Sequence, residues 1–363
     1  MAKIISVGTA LPEYAIPQED ILHFMQDAYG IAGTPEGRKL RFLYHQSGID
    51  QRHSVLPDFL PEHPEKGTFF EAAGGCPGLE SRMERYLEKA PDLTVAAAQN
   101  CLQTAGLEAS DITHFITVSC TGLSAPGLEL MAMEKLGIRP NAHRTAVNFM
   151  GCYAAIHGLK MAAAFADADP TAKVLIVCTE LCTLHFQNAY EAESAVSAAL
   201  FGDGASAALI TGNAHAADGF VVQDFYSEVL WQGREEMAWN LSAKGFLMRL
   251  SGYVPDLLGA DIAPLLDRAL EKAKATRDQI GHWCIHPGGK RILAALEKGL
   301  QLAKSDLSHS YEVLRQIGNI SSATILFVLK EMWAEALAEK DKKVFGVAFG
   351  PGLTMESFIL QPA

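Results

Sequence analysis

Three local patterns recur in the same order along the chain, and this recurrence constrains the fold more than any other feature. VSCTG (118–122) and IHPGG (285–289) each follow an apolar run and lead into a helical pattern, with Gly122 and Gly288 166 residues apart. GCYAAIHGLKMA (151–162) and GNISSATILFVLKEM (318–332) each begin with Gly and a small reactive or polar residue, then run into a helix, 167 residues apart. FGDGASAALI (201–210) and FGPGLTMESFIL (349–360) are both Phe-Gly-x-Gly turns ahead of a strand, 148 residues apart. Two near-equal offsets in one order point to a duplicated half. The competing source of such a pattern is the strand–Gly–helix junction common to any α/β protein.

The runs between these motifs fit duplication. KIISVG (3–8), HFITVS (114–119), KVLIVC (173–178), SAALIT (206–211), GHWCIH (281–286) and VFGVAF (344–349) read as buried strands. Several are too uniformly apolar for a half-wet antiparallel sheet. Ala/Leu-rich stretches over 92–106, 127–137, 152–167, 259–275, 290–303 and 321–338 read as helices. Alternation of this kind predicts an α/β fold with helix-covered sheets. The small, polar stretch GNAHAADG (212–219) is the best linker, which divides the 363 residues into halves at 1–212 and 213–363. Pro57, Pro61, Pro64 and Pro77, with Gly67, Gly74, Gly75 and Gly78, mark 54–82 as a loop-rich excursion near a functional surface.

Composition removes several function classes. A net charge of −12 argues against a protein that coats nucleic acid through bulk charge. No apolar run reaches the roughly 18 residues of a membrane span, and the first residues do not form a convincing signal peptide. Seven cysteines, odd in number and mostly among apolar neighbours, do not form a disulfide framework. The expectation is a soluble, cytoplasmic protein.

If the halves are duplicates, unlike residues occupy matching positions. Cys152 matches Asn319, and His286, at a strand end, matches Cys120. A pseudo-twofold axis brings Cys152, His286 and Asn319 to one point. A thiol ahead of a helix is activated by unpaired amides and the helix dipole, and an imidazole can take its proton. His and Asn can both donate to a developing oxyanion. The bland reading of Cys152 is an inert core thiol. Among the other thiols, Cys101, Cys178 and Cys284 sit inside apolar runs, Cys76 lies in the excursion, and Cys120 and Cys182 follow strands and could line a pocket. His185 could share that cavity with Cys182. His157, five residues beyond Cys152 on one helix, points away from it. His282, Cys284 and His286 alternate along a strand, but no CxxC pair or further ligand cluster supports a metal. FGPGLT lacks the context of a dinucleotide fingerprint. Arg38, Lys39, Arg41 and Arg52 form a basic cluster that either steers a phosphorylated ligand or acidic carrier, or is a solvated helix face.

Taken together, NFMGCYAAIHGLKMA, ALFGDGASAAL, IHPGGKRIL, GNISSATILFVL and FGPGLTMES resemble the chalcone and stilbene synthases, the type III polyketide synthases, over about residues 110–360. The resemblance implies a five-layered αβαβα thiolase fold and a homodimer. It implies that Cys152 accepts the acyl group and that His286 and Asn319 stabilise the enolate formed as malonyl-CoA loses carbon dioxide. Phe201 and Met248 fall at the gate between CoA tunnel and cavity, Met248 replacing an aromatic residue of the plant enzymes. Cys120, Thr121, Cys182, His185, Gly288 and Ser321 fall at cavity positions, and Gly350, Pro351 and Gly352 form the glycine-rich scaffold beside them. Ala125 replaces a Met of the plant pattern. Arg52 is the residue expected to hold CoA phosphates, other expected lysines being Gln46, Gly48 and Gln51. The implied substrates are an acyl starter, delivered by CoA or by an acyl carrier protein, and malonyl-CoA, with no metal or other cofactor. Pyrone or resorcinol-type products follow. The alternatives are a 3-oxoacyl-carrier-protein synthase III performing one condensation, a cysteine hydrolase, and a catalytically silent thiolase-fold protein that binds acyl groups.

Overall fold

A computed structural model describes residues 1–63, 69–70, 76–215 and 217–363. The first half contains β1 (Lys3–Ala10), β2 (Tyr14–Pro17), α1 (Gln18–Ala28), α2 (Pro35–Gln46), β3 (Gln51–Ser54) and α3 (Leu79–Ala105). It continues through β4 (His114–Ser119), α4 (Leu128–Leu136), β5 (His143–Asn148), α5 (Ala154–Ala168), β6 (Lys173–Leu181), α6 (Ala192–Leu200) and β7 (Asp203–Thr211). The second half contains β8 (Phe220–Val229), β9 (Met237–Ser242), β10 (Gly245–Leu250), α7 (Val254–Lys272), β11 (Ile280–Ile285) and α8 (Lys290–Leu300). It ends with α9 (Ser308–Ile317), α10 (Thr324–Glu331), α11 (Trp333–Ala338), β12 (Lys343–Gly350) and β13 (Thr354–Pro362).

The duplication is visible in the strand order. The main sheet runs β11-β12-β13-β8-β1-β7-β6-β4-β5. Read outward from its middle, β1-β7-β6-β4 and β8-β13-β12-β11 are the same series. In each, the first two joins are antiparallel and the third is parallel. The halves meet where Lys3 and Ile4 pair with Val221 and Phe220. β5 extends the first series beside β4 and has no counterpart among the described residues of the second.

Three hydrophobic cores separate five layers. α5 and α10 lie between the two half-sheets in one core, with Ile156, Leu159, Ile325 and Leu329 fully or almost fully buried. α1, α3 and α4 cover the first half-sheet in a second core, and α7 and α8 cover the second in a third. Strands β4, β6 and β12 are buried on both faces, which is why they read as unbroken apolar runs.

The 54–82 excursion is partly regular. Its described part holds a short 3₁₀ turn at Pro57–Phe59, and its last residues already belong to α3. Pro64, Gly67, Gly74 and Gly75 lie outside the described residues. The 212–219 stretch connects β7 to β8, with Ala216 outside the described residues.

Candidate active site

Two matching turns deliver the central side chains. Before α5 the backbone passes through Gly151 at φ 87°, and before the second central helix it passes through Gly318 at φ 68°. Both conformations are left-handed and favour glycine. A Cβ on Gly151 would meet Pro351 Cδ at 2.3 Å, and one on Gly318 would meet the Leu200 carbonyl oxygen at 2.7 Å. Each glycine therefore sets the next residue, Cys152 or Asn319, against the other half. Phe149 and Ser321 also adopt positive φ, 61° and 45°. Such strain concentrates where surrounding structure holds a functional geometry.

One cavity is lined by Cys152, His286 and Asn319, together with Cys120, Thr121, Cys182, His185, Phe201, Met248, Gly288, Ser321 and Pro351. Gly350 stands behind it, packed so closely on Tyr153 that a Cβ would lie 2.6 Å from the ring. Gly352 turns the chain at φ 75°, where a Cβ would meet Thr354 Oγ1 at 3.8 Å, and is not among the residues lining the cavity.

Asn319 is held rigidly. Its backbone N–H donates to Leu200 O at 2.9 Å and its carbonyl accepts from Gly202 N at 2.9 Å, which also fixes the segment around Phe201. Its Oδ1 accepts from Ser321 N at 2.8 Å and Thr324 Oγ1 at 3.3 Å. Two donors on Oδ1 define the amide orientation. His286 follows β11, and its backbone N–H donates to Val347 O at 2.9 Å. Both of its ring nitrogens are buried without a partner among the described residues, and the side chain is part of the cavity lining.

Burial sets the resting protonation. It pushes the Cys152 thiol up to about 12, with the nearby Glu180 carboxylate adding to the rise and the Ser321 hydroxyl opposing it. Burial also depresses the His286 imidazole to about 3. The helix start was expected to lower the thiol. Desolvation outweighs it, so burial favours the uncharged form of both groups.

Glu180, at the end of β6, is the residue sequence reasoning missed. It is fully buried and accepts from Cys120 N at 3.0 Å, Thr121 Oγ1 at 2.8 Å, Cys120 Sγ at 3.3 Å and the Ser322 hydroxyl. Burial raises its carboxyl, and these donors pull it back. Ser321 Oγ lies 3.1 Å from Cys120 Sγ and 3.6 Å from Cys152 Sγ. A hydrogen-bond chain thus links both thiols to the carboxylate and ties the halves together. An acidic residue inside the apolar run KVLIVCTEL was the available signal.

The surrounding wall is aromatic. His185 stacks on Phe246 at 4.4 Å. Its Nε2 donates to Thr121 O at 2.7 Å, and its Nδ1 accepts from Phe246 N at 3.1 Å. Burial depresses it to about 3, so it is a neutral wall residue. Trp239 donates to Cys120 O at 2.6 Å and pairs across β9–β10 with Met248. His157 pairs with Glu356 at 3.1 Å, away from Cys152.

Arg52 requires a correction. It was expected at a CoA-phosphate site, but β3 carries it inward, where it is 3% exposed. Its guanidinium donates to Gln18 Oε1 at 2.9 Å, Ala198 O at 2.7 Å and Phe201 O at 2.5 Å. It braces the segment from Ala198 to Phe201 from within, while Arg38, Lys39 and Arg41 stay on exposed positions of α2. Among the described residues, no group of His, Cys, Asp and Glu side chains could hold a metal ion, and no helix is long and apolar enough to cross a membrane.

A duplicated αβαβα fold with Cys, His and Asn converging from both halves defines a thiolase-fold condensing acyltransferase. Sequence profiles place it further. The chalcone and stilbene synthase N-terminal domain matches residues 1–214 and the C-terminal domain matches residues 222–363, so the chain belongs to that family, the type III polyketide synthases. It is 30% identical to a 3,5-dihydroxyphenylacetyl-CoA synthase of Streptomyces toyocaensis, over 99% of this chain and 90% of that one. It is also 30% identical to type III polyketide synthase A of Arabidopsis thaliana, over 99% and 92%. The crystal structure of PKS-I from the brown alga Ectocarpus siliculosus superposes with a TM-score of 0.94 at 28% identity, covering 100% of this chain and 98% of that one.

Proposed function

We propose that this enzyme loads an acyl starter on Cys152 and extends it by decarboxylative Claisen condensation with malonyl-CoA. Cyclisation then releases a pyrone or resorcinol-type product. The observation that carries this reading is the one cavity lined by Cys152, Asn319 and His286, whose ring nitrogens have no partner among the described residues.

His286, neutral at rest, takes the Cys152 proton as the sulfur attacks the starter thioester. The CoA thiolate leaves and recovers that proton from the imidazolium. Malonyl-CoA then loses carbon dioxide, and its electron pair passes into the thioester carbonyl. The enolate oxygen accepts from an N–H of Asn319 and one of His286. The enolate carbon attacks the Cys152 thioester, forms the new C–C bond and returns the sulfur. The substrates are CoA thioesters, with carrier-protein delivery of the starter as a second route. No further cofactor enters these steps.

The exposed edge strand β5 leaves one side of the sheet unpaired, which supports a homodimer joined along that edge. The cytoplasm, where CoA thioesters are made, is the proposed location. The test is incubation of wild type and Cys152→Ala with starter and isotope-labelled malonyl-CoA. Labelled polyketide from wild type alone supports the assignment, and product at the wild-type rate from the variant defeats it. Strictly one condensation per starter would instead indicate a synthase of the single-condensation type.

A further inference from the structure

A basic and partly apolar face lies at the rim of the cavity, outside the steps above. Gly288 and Ile292 line the cavity, while Lys290 and Arg291 between them are exposed. The start of α8 therefore stands at the mouth. Lys290 lies against Gly48, just past the end of α2, where an added Cβ would meet its Cδ at 3.1 Å. From that junction α2 carries the face outward. Arg38, Arg41 and His45 succeed one another at intervals of three and four residues, so one stripe runs along the helix toward Gly48. Lys39 and Phe42 form the stripe beside it. All of these side chains are exposed, Phe42 to 68%.

These charges are not spent within the protein. Lys39, Arg41, Lys290 and Arg291 have no side-chain hydrogen bond or ion pair among the described residues, and Arg38 reaches only the Gly33 carbonyl. The acids beside them are already engaged. Glu19 pairs with His23 and His45, and Asp50 pairs with Arg315. Glu36, the single acid of α2, is half-buried. The whole chain carries a net charge of −12. Cations gathered without partners around one opening therefore set a field opposite in sign to the average surface. A small anion would use these cations but leave Phe42 in water, whereas an acidic protein would cover both.

We propose that this face docks an acidic acyl carrier protein, whose pantetheine-bound starter enters the cavity past Gly288 and is transferred to Cys152. The inference rests on the condensing reaction assigned to Cys152. It goes beyond that reading by naming the partner and its landing surface. In the transfer the Cys152 sulfur attacks the carrier's thioester carbonyl and the bond to the carrier sulfur breaks. The carrier thiolate recovers the proton that His286 took from Cys152. Two acidic proteins repel each other in other orientations, which confines productive docking to this rim.

The test presents acetyl, hexanoyl and benzoyl groups, each on CoA and on a purified acyl carrier protein of fatty-acid synthesis, and follows product from labelled malonyl-CoA. The wild type should use both forms of an accepted starter. Raising the ionic strength from about 0.02 to about 0.5 M should lower kcat/KM for the carrier thioester roughly tenfold more than for the CoA thioester. Arg41→Glu combined with Lys290→Glu should lower the carrier-to-CoA ratio of kcat/KM by roughly tenfold or more, mainly through KM. Phe42→Ser should lower it by about threefold. Circular dichroism confirms folding of the variants, and the wild-type salt comparison decides the matter if they fail to fold. Use of CoA thioesters alone overturns the proposal. Equal losses for both thioesters, on adding salt or on charge reversal, also overturn it and assign the cations to CoA phosphates. Any of these results keeps the condensing function. Absence of C–C bond formation with every thioester instead removes the underlying reading.

Discussion

The turn at Gly151-Cys152 and the turn at Gly318-Asn319 are one backbone device used twice. Both glycines take positive φ, both precede a helix of the central layer, and both would collide with the other half if they carried a side chain. What differs is the next residue, a nucleophile in one half and an amide donor in the other. The connections after the matching strands differ too. The first half runs from β6 to β7 through residues 182–202, while the second runs from β12 to β13 through 351–353. This longer link explains why the third repeat offset is shorter than the first two. It also carries Cys182, His185, Phe186 and Phe201 into the cavity. Duplication therefore supplies the frame, and divergence at two points supplies the chemistry and the wall.

Breaking the first side of the comparison should have the largest effect. Cys152→Ala is expected to lower polyketide formation by roughly 10³-fold or more, measured as labelled malonyl incorporation. Residual turnover near wild type would mean that the two turns do not divide the labour as described. Removing the second side should cost less. Asn319→Ala is expected to slow decarboxylation of malonyl-CoA by roughly 10²–10³-fold, read as carbon dioxide release in the absence of starter, while Cys152 still becomes acylated.

The shared device is tested by Gly151→Ala and Gly318→Ala. Each should destabilise the fold by about 1–3 kcal/mol from backbone strain alone, with the Pro351 clash making Gly151→Ala the worse of the two. Equal and negligible shifts in urea midpoint would contradict the account of both turns.

The sharpest chemical expectation is the pH dependence of Cys152. Its pKa is raised to about 12, so the reactive thiolate fraction grows with pH across the working range. Alkylation of Cys152 by iodoacetamide should climb by about tenfold per pH unit between pH 6 and 9. A rate already constant at pH 6 would reveal a preformed thiolate–imidazolium pair. A smaller effect concerns stability. His185 and His286 are both depressed to about 3 from an ordinary 6.5. Between those values the unfolded chain binds protons that the folded chain refuses, so stability rises with pH and is lost as pH falls below 6.5. Replacing His185 by Gln should flatten that slope in acid urea titrations.

Six apolar strand runs, the Ala/Leu-rich helix stretches and the order of the repeats were legible in the chain, because strands buried on both faces cannot hide their apolar character. The more exposed β5, β8, β9 and β10 and helices α1, α6 and α9 went unread. Cys152, His286 and Asn319 were legible through the offset between the halves. Arg52 was not, since its charge signals exposure and nothing local shows that β3 turns it toward the Ala198 and Phe201 carbonyls. Glu180 was passed over because its four donors come from Cys120, Thr121 and Ser322, which are distant in sequence. The raised Cys152 thiol was missed for a related reason. The helix start is a local feature, whereas the desolvation that overrides it is imposed by both halves at once.

The most direct test is the mass of the intact enzyme after incubation with an acyl-CoA starter and no malonyl-CoA. One acyl group per chain is expected, mapped by peptide analysis to Cys152 and absent from Cys152→Ala. An unmodified chain, or an acyl group on Cys120 or Cys182, would contradict the assignment.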